Sequence, residues 1–357
     1  MRRIRQITGL ALSAVLLAGA SGIARAADAS LPQTIIPGPG VTEWQVTNDG
    51  GTSTGQAFAG NCDLTPGLTI DEAIDAMGDT DAYDKAYQLF VNNQVFAAPD
   101  PVDLTGNILT AGPAPSGVAN LPVTVEYLFS DTLQAARIRF LFENTSGNPI
   151  NIKVDVPVNF GSNNATVIEA SASGDLLFDK DDRWLVTSDG VPGKPVNTTV
   201  LFSTDNPPVT PTAVTATVFT CGDNGEGAGV TFNIEIPANS TRSLMFFAGL
   251  GEIVGQGNTI AGAIASVGMF NDPATIDDSL VGDLSNIQWD ETLNWRFIRE
   301  GAVGIGGDGG GGGCMLQPAG PFDPLFPALL AGLLVLLNRK HRNCATESVR
   351  HQPGDCS

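Results

Sequence analysis

The chain has 357 residues and carries 38 acidic against 18 basic side chains, a formal net charge of −20. A surface this acidic repels nucleic acid and anionic lipid headgroups, so no nucleic-acid partner is expected. The only histidines are His341 and His351, which excludes Ser-His-Asp and Cys-His nucleophile systems, and ordinary zinc sites, from everything before them.

In chain order, Arg2, Arg3 and Arg5 precede an apolar stretch from Leu10 to Ala20, followed by the small residues Ala24 and Ala26. This is the pattern of a secretory signal peptide over residues 1–26, cut between Ala26 and Ala27. Its apolar core is shorter than the roughly 20 residues a spanning helix needs. Between Ala27 and Gly313 there are ten basic and 35 acidic residues, so the exported portion has a net charge of −25. It also holds two cysteines, Cys62 and Cys221, which in an oxidising compartment are expected to form one disulfide. Closing a loop of about 160 residues would stabilise the domain by several kcal/mol.

Residues 27–300 read as mainly β: an antiparallel β-sandwich, one large or two abutting, with short helices near its C-terminal end. Frequent Gly and Pro, modest aromatic content and abundant Thr, Val and Asn favour strands and turns. Over 83–91, Tyr83, Lys85, Tyr87, Leu89 and Val91 form one alternating set, and Asn92-Asn93 suits a tight hairpin turn. Residues 121–129 are a further strand. Ile138, Phe140 and Phe142 alternate with Arg137, Arg139 and Leu141. After a Gly147/Pro149 turn, Ile150 through Val158 alternate with Asn151, Lys153 and Asp155. The expectation is an antiparallel pair with one buried and one wetted face. The same alternation predicts strands over 197–204, 212–220 and 230–236, the last reversing at 237–241 into another strand. Leu280, Leu284 and Ile287 fall at helical spacing, with Thr275 as the expected N-cap.

The densest polar constellation is Asp175, Asp179, Asp181 and Asp182 around Arg183 and Trp184. Three of these carboxylates, Asp179, Asp181 and Asp182, could converge on calcium, although the glycine and distal glutamate of the EF-hand are absent. The favoured expectation is structural: a loop held by Asp to Arg183 and by backbone contacts, with Trp184 in the core. No cofactor is otherwise expected. The run at 221–227 reads as a turn beside the disulfide. Glycoside hydrolysis needs two acids and no histidine, but none of the 35 carboxylates stands out as a pair. Asn144, Asn164, Asn197 and Asn239 each open an N-x-S/T sequence and are expected to be strand and turn residues.

From Gly301 to Gly313, nine of thirteen residues are glycine, a flexible tether. Cys314 follows, then Phe322-Asp323-Pro324, an apolar run from Leu325 to Leu337, and the basic cluster Arg339, Lys340 and Arg342. Thirteen helical residues rise only about 20 Å, less than the roughly 30 Å hydrocarbon core, so this transmembrane segment at 325–337 suits a temporary span. The basic residues behind it keep residues 343–357 in the cytoplasm as a tail. Residues 314–342 resemble the bacterial C-terminal sorting signals of the GlyGly-CTERM, MYXO-CTERM and JDVT-CTERM kind, the last most of all. The resemblance implies an intramembrane sorting protease as partner, cutting near Gly313 and Cys314, with Cys314 as the lipid-attachment residue and a membrane anchor through the segment or its lipid. The tail after Arg342 departs from that pattern. Residues 172–190, 236–250 and 293–297 are similar to the β-rich choice-of-anchor families, a resemblance that implies location and fold but no activity.

The sequence therefore leads to an exported, envelope-anchored surface protein with a binding or structural role, such as adhesion or matrix interaction, whose extracellular ligand is unknown. The rivals are a carboxylate-dependent glycoside hydrolase, marked by two facing acids about 5 to 9.5 Å apart between aromatic walls, and a calcium-stabilised surface module.

Overall fold

The computed structural model describes residues 27–38, 42–48, 67–162, 165–204, 206–215 and 227–296. The first strands are β1 (Ala27–Ala29), β2 (Gln33–Ile35), β3 (Glu43–Asn48), β4 (Leu68–Ile74), β5 (Tyr83–Ala86), β6 (Phe90–Val91) and β7 (Gln94–Val95). The middle ones are β8 (Val102–Thr105), β9 (Ile108–Pro115), β10 (Pro122–Phe129), β11 (Ala135–Asn144) and β12 (Ile150–Phe160). Then come β13 (Val167–Ser171), β14 (Trp184–Ser188), β15 (Asn197–Val200), β16 (Ala213–Thr215), β17 (Gly227–Ile236) and β18 (Ser240–Leu250). Three helices end the described chain: α1 (Ile260–Val267), α2 (Asp278–Val281) and α3 (Asn286–Glu291).

The strands form two antiparallel sheets. The first runs β1-β8-β9-β10-β11-β18-β15-β14-β13; the second runs β16-β17-β12-β5-β4-β3-β2, with the β6–β7 hairpin paired onto β12. The expected β-sandwich is present, with its short helices near the C-terminal end of the domain. Its core is one cluster drawn from both inner faces. Ile138, Phe140 and Phe142 of β11 and Leu244, Phe246 and Ala248 of β18 meet Val154, Val156 and Val158 of β12 and Phe232 of β17. Trp44, Tyr83, Tyr127 and Phe129 extend the core as an aromatic row, the Trp44 and Phe129 rings 5.4 Å apart. Each such side chain, fully buried, contributes about 1.5–3 kcal/mol.

Two expectations about β11 and β12 are corrected. They do not pair: β11 bonds to β10 and β18, and β12 to β5, β6 and β17. The 145–149 turn is therefore an arch between sheets, and the 237–239 turn joining β17 to β18 is a second one beside it. Buried Asn144 ties the two arches together. Its Nδ2 donates to the carbonyls of Asn148, Ile236 and Pro237, while its Oδ1 accepts from the Ser146 N–H and hydroxyl. Asn197 is likewise buried and donates to the Ala82 carbonyl. Neither asparagine presents its amide to solvent, whereas Asn239 is exposed at the arch tip.

The second correction concerns the wetted face. Arg137 and Arg139 are both fully buried, because the chain after β18 folds back over the outer face of the first sheet. There Met245, Phe247 and Val200 pack against Val267, Phe270, Leu280, Trp289 and Trp295 as a second apolar cluster. Arg137 crosses this layer as a fork, donating from Nη1 to Asp283 and the Leu280 carbonyl and from Nη2 to Glu126 and Asp283. Burial works against its charge, but Asp283 and Glu126 outweigh it and hold the guanidinium above its ordinary value. Arg139 is less well served, with Ser243 Oγ at 3.4 Å and Glu291 at 3.9 Å. Burial comes first in keeping it below its ordinary value, and the Arg137 charge adds to that against its acidic neighbours.

The helical layer starts and stops where its caps dictate. Asp277 caps α2 and Ser285 caps α3 in a capping box with Gln288, so the N-cap is not Thr275, which ends a single 3-10 turn. Leu280 is buried as the spacing predicts, but Ile287 points outward at 69% exposure. Beyond α3, residues 292–295 fill the part of the β18 edge that the short β15 leaves open. The Asn294 side chain accepts from Met245 N–H and donates to Met245 O, while Trp295 Nε1 donates to that same carbonyl. The 83–91 stretch is also interrupted: Lys85 and Tyr87 have φ of 70° and 56°, splitting it into β5 and β6. The Asn92-Asn93 turn forms as expected, both residues at positive φ.

Candidate functional site

Three loops meet at one end of the sandwich, 75–81 between β4 and β5, 189–196 between β14 and β15, and 251–259 between β18 and α1. They enclose a groove of about 510 Å³ lined by Met77, Asp79, Asp189, Val191, Lys194 and Asn258, among others. That volume is in the range of small-ligand sites. Each loop is shaped by local chemistry. Asp75 Oδ1 accepts the Met77 and Asp79 N–H groups, closing the first turn. In the second, Pro192 presets φ and Gly193 takes φ of 93°, the combination a type II turn requires. In the third, Thr259 caps α1 through the Gly262 N–H and bonds Glu252.

Two amides lock these loops to one another. Asn258 Oδ1 accepts from Val196 N–H at 2.8 Å, and its Nδ2 donates to Asp79 Oδ2 at 2.7 Å and to the Lys194 carbonyl at 2.8 Å. A single side chain thus joins all three segments. Gln134, buried on the rim, accepts from Ala76 N–H and donates to the carbonyls of Glu252 and Gly257. The groove walls are consequently held before any ligand arrives, which lowers the ordering cost of binding.

Its character is apolar at the lip and negative at the base. Met77 and Val191 stand 65% and 55% exposed. Below them the Asp189 side chain is only 5% exposed, 3.9 Å from Lys194 Nζ. Lys194 is engaged elsewhere, with Asp81 and the Gly161 carbonyl. The Asp81 hydrogen bond is the main reason its ammonium sits above the ordinary lysine value; burial opposes it, while Asp81, Asp189 and Asp84 charges add to it. Behind the first loop, burial raises the Glu72 carboxyl although it accepts from Ala73, Asp81 and Ala82 N–H groups.

The acidic constellation keeps the expected backbone contacts but not the expected pairing with Arg183. Asp182 is fully buried and accepts from Ser173 N–H at 2.8 Å and Asp179 N–H at 2.9 Å. Asp179 accepts from Asp181 N–H, and Asp175 accepts from Leu177 N–H and the Ser173 hydroxyl. Those bonds, the Leu177 N–H foremost, keep Asp175 below its ordinary value. The carboxylates brace the loop's own backbone, and none is paired with Arg183. Trp184 is half-buried. Among the described residues, no group of three or more His, Cys, Asp or Glu side chains is placed to hold a metal ion.

Of the other sequence-predicted residues, Ala27 opens β1 on the edge of the first sheet. Ala26, Cys62, Asn164, Cys221, Gly313, Cys314 and the 325–337 segment lie outside the described residues, as do both histidines. Among the described residues, no helix is long and apolar enough to cross a membrane. Sequence reading missed Met77, Asp79, Lys194 and Asn258; the one local signal was the Pro192-Gly193 turn, which marks a projecting loop without saying what it meets.

No protein-family model matches the chain, and no curated protein matches it in sequence. Among solved structures, it is similar to a polysaccharide lyase at 9% identity and a TM-score of 0.34, over 56% of this chain. It spans about a third of that lyase's length, 33%. A galactose mutarotase-like protein from Lactobacillus casei aligns at 8% identity and a TM-score of 0.37, over 61% of this chain and 100% of its own. A heparan sulfate lyase from Pedobacter heparinus aligns at 12% identity and a TM-score of 0.30, over 60% and 30%. At these scores no functional argument rests on them.

Proposed function

We propose that the chain is an exported, envelope-anchored surface protein with a binding role, attached through a C-terminal sorting signal that a membrane protease processes between Gly313 and Cys314. The observation that carries the binding role is the loop-end groove, preformed by Asn258 and Gln134 and lipped by exposed Met77 and Val191. Grouping variable loops at one end of a rigid sandwich is how such folds build recognition surfaces. The export and anchoring parts rest on the signal-peptide pattern and on the glycine tether, cysteine and apolar run at the other end.

The hydrolase reading attaches to Asp79 and Asp189, which share the groove. Its lining holds no aromatic side chain on which a sugar ring would stack, and Asp79 is already tied to Asn258, so binding is favoured over hydrolysis.

Two measurements test the proposal. Intact-mass analysis of the protein from its native envelope should find a C-terminus at or near Cys314 with added lipid mass; a chain still ending at Ser357 counts against the sorting signal. Beads coated with the purified chain should adhere to envelope fragments, and Val191→Glu should weaken that adhesion about tenfold or more, the loss of one well-placed apolar contact plus a charge. Unchanged adhesion removes the groove from the account.

A further inference from the structure

The buried turn of Asp182 leaves an unusual remainder. Nine Lys and Arg lie among the described residues. Arg137, Arg139, Lys153 and Lys194 face carboxylates, Lys85 has a partner, and Arg242 donates to the Thr241 carbonyl. Among the described residues, Lys180 and Arg183 are not engaged in this way, and both line one cavity of about 400 Å³ on the flank of the first sheet. The same lining includes one acid, Asp181, whose backbone N–H donates to Asp179, so two cations face one carboxylate on a chain that otherwise carries twice as many acids as bases.

Arg183 is fixed through its backbone, and its acidic neighbour is turned away from it. Its carbonyl accepts from Leu201 N–H at 2.7 Å, which pins the backbone beside β15. Its neighbour Asp182 is turned the other way by the Ser173 and Asp179 N–H groups. Arg183 is half-buried and lines the cavity. Around it the cavity presents the hydroxyl residues Ser173 and Thr210 and the flat apolar faces of Pro207 and Pro211. Arg296 donates its backbone N–H to Ser203 Oγ on the same wall.

We infer that this cavity binds an acidic, hydroxyl-rich ligand, its carboxylate or sulfate taken by the Arg183 fork with Lys180 beside it. A planar guanidinium with free paired donors matches the two oxygens of such a group, hydroxyl residues suit ligand hydroxyls, and proline faces suit ligand C–H surfaces. The domain's overall negative charge slows the approach of any anion, but beyond about 8 Å that repulsion is screened at physiological salt, while the two cations act at contact. The cavity is separate from the loop-end groove, with which it shares no lining residue.

The test is binding of three polymers to the purified chain: polygalacturonate for carboxylate, dextran sulfate for sulfate, and neutral dextran. At least one polyanion should bind and neutral dextran should not; whichever polyanion binds identifies the acidic group. Arg183→Gln should weaken that binding about tenfold or more, and the exposed Lys180→Gln severalfold, each with an unchanged melting temperature for the Lys180 variant as the check on folding. Arg242→Gln, removing a cation elsewhere, should leave affinity unaltered. The inference is overturned if neither polyanion binds, if neutral dextran binds equally, or if Arg242→Gln weakens binding as much as Arg183→Gln and Lys180→Gln do.

Discussion

Raising the pH should unfold this protein through its tyrosines. The chain has three, Tyr83, Tyr87 and Tyr127, and all are fully buried. Loss of solvation is the leading cause that pushes each phenol well above its ordinary value of 10.0, and for Tyr127 the only one; Tyr87 also donates to the Phe247 carbonyl. A folded pKa above the unfolded one means the native state keeps protons that the unfolded state loses, so stability is intact below pH 10 and falls as pH rises past it. Each phenol contributes a slope of about 1.4 kcal/mol per pH unit, and the three together about 4 kcal/mol per unit. Lys194, also raised, acts with the same sign just above the same pH. Against a domain stability of about 5–15 kcal/mol, two to three units above pH 10 suffice for roughly 10 kcal/mol. The assay follows tyrosinate absorbance and circular dichroism across an alkaline titration: no tyrosinate while the sheets persist, then all three with the unfolding transition. A tyrosinate signal that develops near pH 10 with unchanged circular dichroism would refute the burial argument.

Other perturbations address the scaffold. Arg137→Met leaves Glu126, 18% exposed, and Asp283, 37% exposed, without their cation; chemical denaturation should show a loss of about 3 kcal/mol, the low end for a broken buried pair because Asp283 is partly solvated, with Glu126→Gln recovering part of it. Asn144→Ala strips partners from three carbonyls and one N–H at the paired arches, and a loss of about 3 kcal/mol with faster exchange of the 145–149 and 237–241 amides is expected. Gly161→Ala would place a Cβ 2.0 Å from the Asp81 carbonyl oxygen, displacing the loop that carries Asp79; the melting temperature should fall by the equivalent of about 1–3 kcal/mol, and adhesion through the groove should fall with it.

Much of the fold was legible because β periodicity is local. The alternation through 138–142, 150–158 and 230–236 assigned the inward-facing residues correctly, and Asn92-Asn93 announced its own hairpin. The candidate site was scarcely legible. Asp79, Lys194 and Asn258 are separated by more than a hundred residues from one end of the set to the other, and nothing in the sequence near any of them refers to the others. The acidic loop illustrates the same point at shorter range: four aspartates beside an arginine suggest ion pairs, yet the backbone N–H groups at the turns compete for those carboxylates and take them.

By itself, then, the sequence determined the class of fold, the core-facing residues of its long strands and the chain's acidic charge, since each depends on composition or on neighbours within a dozen positions. Tertiary structure decided which sheet each strand joined, that the turns at 145–149 and 237–239 cross between sheets, and that the Arg137–Arg139 face is buried. The physical reason is that alternation defines two faces but not what covers them; the helical layer from 260 to 295 does that, and only the folded chain brings it within reach.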